Sequence, residues 1–97
     1  MRVEISGSRG QPVGALEALR GEIARTLQGR GVRRVRLTFR DENRLFCDIE
    51  VELEGGARLE SELCDLDADR LRERTVSRAV AMAERLTAMD ALFRRSS

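Results

Sequence analysis

Arg74, Arg78 and Arg85 are the residues whose type and spacing most directly suggest a chemistry. Placed on a helix at about 100° per residue with Leu71 at zero, they fall at about 300°, 340° and 320°, one ridge with Arg70 close beside it. Residues three or four positions away are a helix's natural counter-charges. Arg74 has Arg70, Leu71, Ser77 and Arg78 there, Arg78 has Arg74, Thr75, Ala81 and Met82, and Arg85 has Ala81, Met82, Ala88 and Met89. No carboxylate stands within reach on the helix itself. A guanidinium is a planar fork of N–H donors that fits the oxygens of a phosphate, so the pattern predicts a seat for a polyanionic backbone. Arg20, Arg25 and Arg30 from an earlier helix, Arg33 in the following loop, and the Arg94–Arg95 pair extend this helix-side surface. The competing reading is that these long stems only cover helix flanks and pair with acids from other elements.

Other constellations predict less. The chain has no His, which removes the usual general base and the commonest metal ligand. Cys47 and Cys64 have no CxxC spacing and no activating base. Asp65, Asp67 and Asp69 alternate like the start of a calcium loop, but the glycine and the closing glutamate are missing. They are expected instead to cap a helix and favour its positive end. Gly7–Ser8–Arg9–Gly10 lacks the spacing of a phosphate loop. The expectation is therefore a non-enzymatic protein with no catalytic residue, metal, cofactor or small-molecule substrate.

The 97 residues suffice for one domain, spanning 1–97, and 41% hydrophobic with 36% charged residues argues for a folded core. No apolar run approaches the ~18 residues of a membrane span. Met1 leads straight into Arg2–Val3–Glu4–Ile5 without an apolar leader, so the expected location is the cytoplasm, with both thiols reduced. Eighteen arginines against 17 acids give a net charge of +1. Any attraction to nucleic acid must then come from an uneven distribution of charge.

The elements that would position the arginines follow from periodicity. Arg2–Ser6 alternates as a short strand, and Gly7–Gly10 breaks it. Pro12 suits a helix start, and Leu16, Leu19, Ile23 and Leu27 form an amphipathic stripe that Gly29 and Gly31 stop. Val35, Leu37 and Phe39 alternate with polar residues, Asp41–Glu42–Asn43 turns the chain, and Leu45, Cys47, Ile49, Val51 and Leu53 form the clearest strand. Gly55–Gly56 predicts a tight hairpin into a fourth strand with Leu59 and Leu63 inward. From about Asp67 to Phe93 the period is helical. Leu71, Thr75, Ala79, Met82, Leu86, Met89 and Phe93 share one stripe, with both methionines expected in the core. At ~40 Å this helix outruns a ~33 Å strand, so its last turns overhang the sheet.

The order predicts an α+β fold: a β-α-β-β-β-α two-layer sandwich, with a four-stranded mixed sheet and both helices on one face. Parity sets Arg34 and Arg36 against acids of the third strand on the open face. Pairing Leu53 with Ala57 opposes Glu52 to Arg58, Glu50 to Glu60 and Asp48 to Glu62. That face is self-compensated, acidic on its fourth-strand side, and a poor phosphate binder.

Along this order the chain resembles a family. Val3–Glu4–Ile5–Ser6–Gly7, Ala18–Leu19–Arg20, Asp41–Glu42–Asn43, Val51–Glu52–Leu53–Glu54–Gly55–Gly56 and Ala83–Glu84–Arg85–Leu86 look like the ribosome hibernation-promoting factor and ribosome-associated inhibitor family, once called sigma-54 modulation protein. The resemblance implies a stress-response translation regulator that contacts small-subunit rRNA and silences idle ribosomes by occupying the mRNA and tRNA channel. It implies that Arg85 contacts rRNA and that Arg94 and Arg95 stand where the family has a basic tail. Arg74 and Arg78 come from the helical wheel alone. The chain departs from the lysine-rich family in carrying only arginine, and it has Leu71 where an aromatic is usual. The resemblance is to the family's short form, for which the long form's dimerisation domain is expected to be absent. The alternative is a self-associating protein-interaction module without RNA binding, a homodimer through its first or fourth strand edge.

Overall fold

A computed structural model describes residues 1–7 and 11–95, with side chains through Phe93. The elements are β1 (Arg2–Ser6), α1 (Val13–Leu27), β2 (Val32–Glu42), β3 (Arg44–Leu53), β4 (Arg58–Asp65) and α2 (Ala68–Arg95). They form one sheet in the order β1-β2-β3-β4, parallel between β1 and β2 and antiparallel elsewhere. The α+β class and element order are those expected. Both helices cover one sheet face, with α1 against β1 and α2 against β3 and β4. Between the layers lies a single core that includes Ile23, Leu27, Val35, Leu37, Ile49, Val51 and Leu71.

Pleat parity fixes the register. Val35 pairs with Val51, Leu37 with Ile49, and Cys47 with Leu63, so apolar residues meet on the covered face. The intervening residues meet on the open face as Arg34 with Glu52, Arg36 with Glu50, Glu50 with Glu60, and Asp48 with Glu62. Gly56, at φ 98°, turns the β3–β4 hairpin. Between β2 and β3 the turn is tighter than expected. Asp41 and Glu42 still pair with Leu45 and Arg44, and Asn43 alone adopts the left-handed conformation, at φ 65°. Asparagine tolerates that region because its short side chain bonds locally.

Two expectations for α2 need correction. Met89 is 41% exposed and Phe93 74% exposed, so neither belongs to the core, while Met82 does. The helical stripe continues past the end of the sheet. Twenty-eight residues rise about 42 Å, while the ten residues of β3 span about 33 Å. Leu86 is the last buried position, and the two turns beyond it have no sheet beneath them.

The cysteines lie on opposite pleats and are both free. Burial pushes the Cys47 thiol up to about 11, partly opposed by a hydrogen bond with Thr75. Thr75, itself fully buried, donates to the Leu71 carbonyl at 2.7 Å, which satisfies its hydroxyl inside the core. Cys47 is thus a packing residue with a negligible thiolate fraction at neutral pH.

Candidate nucleic-acid interface

The arginine ridge runs along the flank of α2 that faces the free edge of β4. Arg74 donates to the main-chain carbonyl of Cys64 at 2.8 Å and to Asp65 at 3.1 Å. Arg78 reaches Ser61 Oγ at 2.7 Å. Ser61 lies on the covered pleat of β4, which places the Arg78 stem over the seam between strand and helix. A shallow groove follows that seam, lined by Leu63, Arg74, Ser77, Arg78 and Ala81, with Glu73 at its rim.

These contacts divide the ridge in two. Asp65 sits at the end of β4 with its side chain only 7% exposed, and it gathers Arg70 at 3.0 Å together with Arg74. Arg74 is therefore clasped by a carboxylate from outside the helix, contrary to the reading of an unanswered cation. The pairing escapes an i±4 search because Asp65 belongs to the strand-to-helix junction. Arg78 and Arg85, by contrast, have no ion pair among the described residues, and both are exposed. Seven residues separate them, about 10 Å along the helix axis. They are the uncompensated part of the ridge.

On the first helix the arginines point in different directions. Arg20 turns toward β1, where it donates to the Val3 carbonyl and lies 3.8 Å from Glu17. Arg25 stands on the outer surface of α1, opposite the buried stripe of Leu19, Ile23 and Leu27, with no ion pair among the described residues. Arg30, just past the end of α1, ties that end to the middle of α2 through Glu84 at 3.2 Å. Arg33 turns away from the helices to the Glu54 carbonyl and Glu52. The side chains of Arg94 and Arg95 lie outside the described residues. The structure thus brings Arg70, Arg74, Arg78 and Arg85 to one flank and leaves Arg20 and Arg25 apart from it.

Helix α2 is held in place by the aspartates expected to cap it. The Arg70 amide donates to Asp67 Oδ1 at 3.1 Å, an N-cap bond, and Asp69 lies in the first turn. The Asp67 amide in turn donates to Asp65 at 3.0 Å. The Arg70 guanidinium, then this amide, and then Arg74 hold the Asp65 carboxyl well below the usual carboxylate range, against the opposing effect of burial. A depressed value means that Asp65 contributes fully above the unfolded-state value near ~4 and loses its contribution as the pH falls below it. Asp65→Asn should therefore be less stable than the parent at neutral pH. Urea unfolding at neutral and acid pH should show that difference shrinking below about pH 4.

The open sheet face has the opposite character. Arg40 bonds Asp48 at 2.9 Å, Glu62 at 2.7 Å and Glu42 at 3.2 Å, and it lies over the Phe46 ring at 4.9 Å. Arg36 pairs with Glu4, and Arg34 with Glu50 and Glu52. These three guanidiniums are answered, Arg44 and Arg58 at the ends of the same face have no ion pair among the described residues, and Glu50 opposes Glu60 directly across β3 and β4. The middle of this face therefore offers a polyanion carboxylates and already engaged arginines.

Both lateral edges of the sheet share one device. Arg20 covers a main-chain carbonyl of β1 and Arg74 one of β4, so each exposed edge strand has part of its hydrogen-bonding row occupied by a cation from the adjacent helix. Charge at an edge discourages pairing with another strand.

Taken together, the architecture is an α+β two-layer sandwich whose α2 flank carries a partly free arginine ridge. No family model matches the sequence, and no curated protein matches it. The backbone is similar to that of a ribosomal subunit interface protein from Coxiella burnetii, with a TM-score of 0.75 at 15% identity over 91% of this chain and 99% of that one. It is also similar to the N-terminal domain of Thermus thermophilus Protein Y, with a TM-score of 0.66 at 18% identity over 87% and 93% of the two chains. At these identities the likeness establishes the fold, and this is the fold the short motifs implied. No described helix is long and apolar enough to cross a membrane.

Proposed function

We propose that the protein is a ribosome-associated translation regulator that binds small-subunit rRNA through its helical layer and blocks the mRNA and tRNA channel by occupancy. The observation that carries this reading is the near full-length likeness to a protein described as a ribosomal subunit interface protein. Arg78 and Arg85 supply the chemistry, because exposed guanidiniums without internal counter-ions can take phosphate oxygens at little desolvation cost. The acidic, self-paired sheet face supports a defined orientation, with the helices toward RNA and the open sheet away from it. Steric exclusion needs no bond-making group, in keeping with a regulator that acts without catalysis inside the cell.

The test is co-sedimentation with ribosomes and with separated subunits over a salt series. Binding is expected to small subunits and whole ribosomes, and to fall steeply between about 50 and 200 mM salt as phosphate contacts release counterions. Absence of binding at low salt, or equal binding to large subunits alone, would overturn the assignment.

A further inference from the structure

We propose that Ala81 is the specificity-determining position of the arginine ridge: a strand of RNA crosses it, and Arg78 and Arg85 take phosphates on either side. The inference rests on the reading that the helical layer meets RNA, and it locates the contact within that layer. Two positions on α2 stand three or four residues from both Arg78 and Arg85, namely 81 and 82. A helix pairs charges at those separations. Met82 is buried, at 3% exposure, so Ala81 is the one exposed position from which a single side chain can answer both guanidiniums. A glutamate there would stand three residues after Arg78 and four before Arg85, the latter being the more favourable order for a carboxylate and a cation. The helix has acids at Asp69, Glu73, Glu84 and Asp90, and a methyl group at this point.

The surroundings fit a ligand that brings its own negative charge. Ala81 lines the groove between α2 and β4, and along the helix axis it stands about 4.5 Å beyond Arg78 and about 6 Å before Arg85. Arg78 donates through Nη1 to Ser61 at 2.7 Å, which steadies its stem beside the groove. That bond uses one of the three nitrogens, so the fork still has donors to offer. The nearest acids on the helix are placed so that they do not compete. Glu84 is engaged by Arg30 at 3.2 Å, and Glu73 is eight residues away from Ala81, about 12 Å along the axis. A methyl group adds little bulk, so a sugar–phosphate backbone can come close enough for both forks to reach its oxygens. A larger or acidic residue at this position would close the ridge from within.

The probes are small ribosomal subunits and oligouridylate at low salt. Ala81→Glu is expected to weaken binding of both about tenfold while leaving the urea midpoint within about 0.3 M of wild type. Thr87→Glu is the matched control. It adds the same charge at an exposed position about 160° round the helix from Arg85, and it should bind like wild type. Adding Arg78→Gln and Arg85→Gln to Ala81→Glu should cost no more than about a further twofold, because the new carboxylate already engages both guanidiniums. Full affinity in Ala81→Glu, or an equal loss in Thr87→Glu, overturns the role of position 81 and leaves the RNA reading intact. A large further loss in the combined variant also overturns it, since Ala81→Glu would then act without reaching the arginines. If the wild type binds neither probe, the RNA reading and this contact fall together.

Discussion

Gly7→Ala is expected to destabilise the protein by about 3 kcal/mol or more, seen as a fall of roughly 1–2 M in the urea midpoint. Gly7 follows β1 with φ at 71°, a conformation that costs a residue bearing a Cβ roughly 1–2 kcal/mol. Space compounds the cost. A Cβ built there lies 2.1 Å from the Phe39 carbonyl oxygen and 3.1 Å from its carbon, both main-chain atoms. Phe39 cannot easily retreat, since it pairs with Cys47 across β3 and its own side chain is buried. Set against a total stability of ~5–15 kcal/mol, the loss is large. Gly14→Ala is the matched control. Gly14 lies in the first turns of α1 with nothing within 4 Å of an added Cβ, so that change should stabilise by about 0.5–1 kcal/mol. Similar midpoints for the two variants would refute the close approach between Gly7 and β2.

Charge reversal separates the two halves of the ridge. Arg78→Glu with Arg85→Glu should lower ribosome affinity by more than about tenfold and flatten the salt dependence by roughly 1.5 logarithmic units, the share of two phosphate contacts. Both residues are exposed and free of ion pairs among the described residues, so thermal unfolding should change by no more than about 0.5 kcal/mol. Arg74→Glu should behave differently. It places a carboxylate beside nearly buried Asp65 and removes the bond to the Cys64 carbonyl, so it should lower stability before any effect on RNA is considered. Retention of full binding by the Arg78/Arg85 double variant would move the interface off this flank.

Those contrasts also mark how far the sequence could be read. Strand pairing was legible to the residue across β3 and β4, where Gly55–Gly56 leaves one register, while across β2 and β3 alternation fixed only the parity. Glu50 against Glu60 follows directly from Leu53 beside Ala57. The wheel also placed Arg74, Arg78 and Arg85 on one flank, and the first two reach the fourth strand there, at Cys64 and Ser61. What it could not see was Asp65. A helix's i±4 neighbours are written in its own sequence, while a counter-ion from the preceding strand depends on how the junction folds back. Met89 and Phe93 failed differently, because the overhang implied by a ~40 Å helix on a ~33 Å strand conflicts with a stripe carried to its last turn. Periodicity says which way a side chain points, and only the length of the opposing layer says whether anything lies there.

The guards on the sheet rims are carried by the helices rather than by the strands, since Arg20 and Arg74 both reach down from the upper layer. Arginine keeps its charge at every pH a cell encounters, so acidification does not unlock these rims. Peeling away the helical layer does, and it frees β1 and β4 in the same event. Polymerisation of this chain should consequently begin with helix undocking, and the sheet stays finite for as long as its lid is seated.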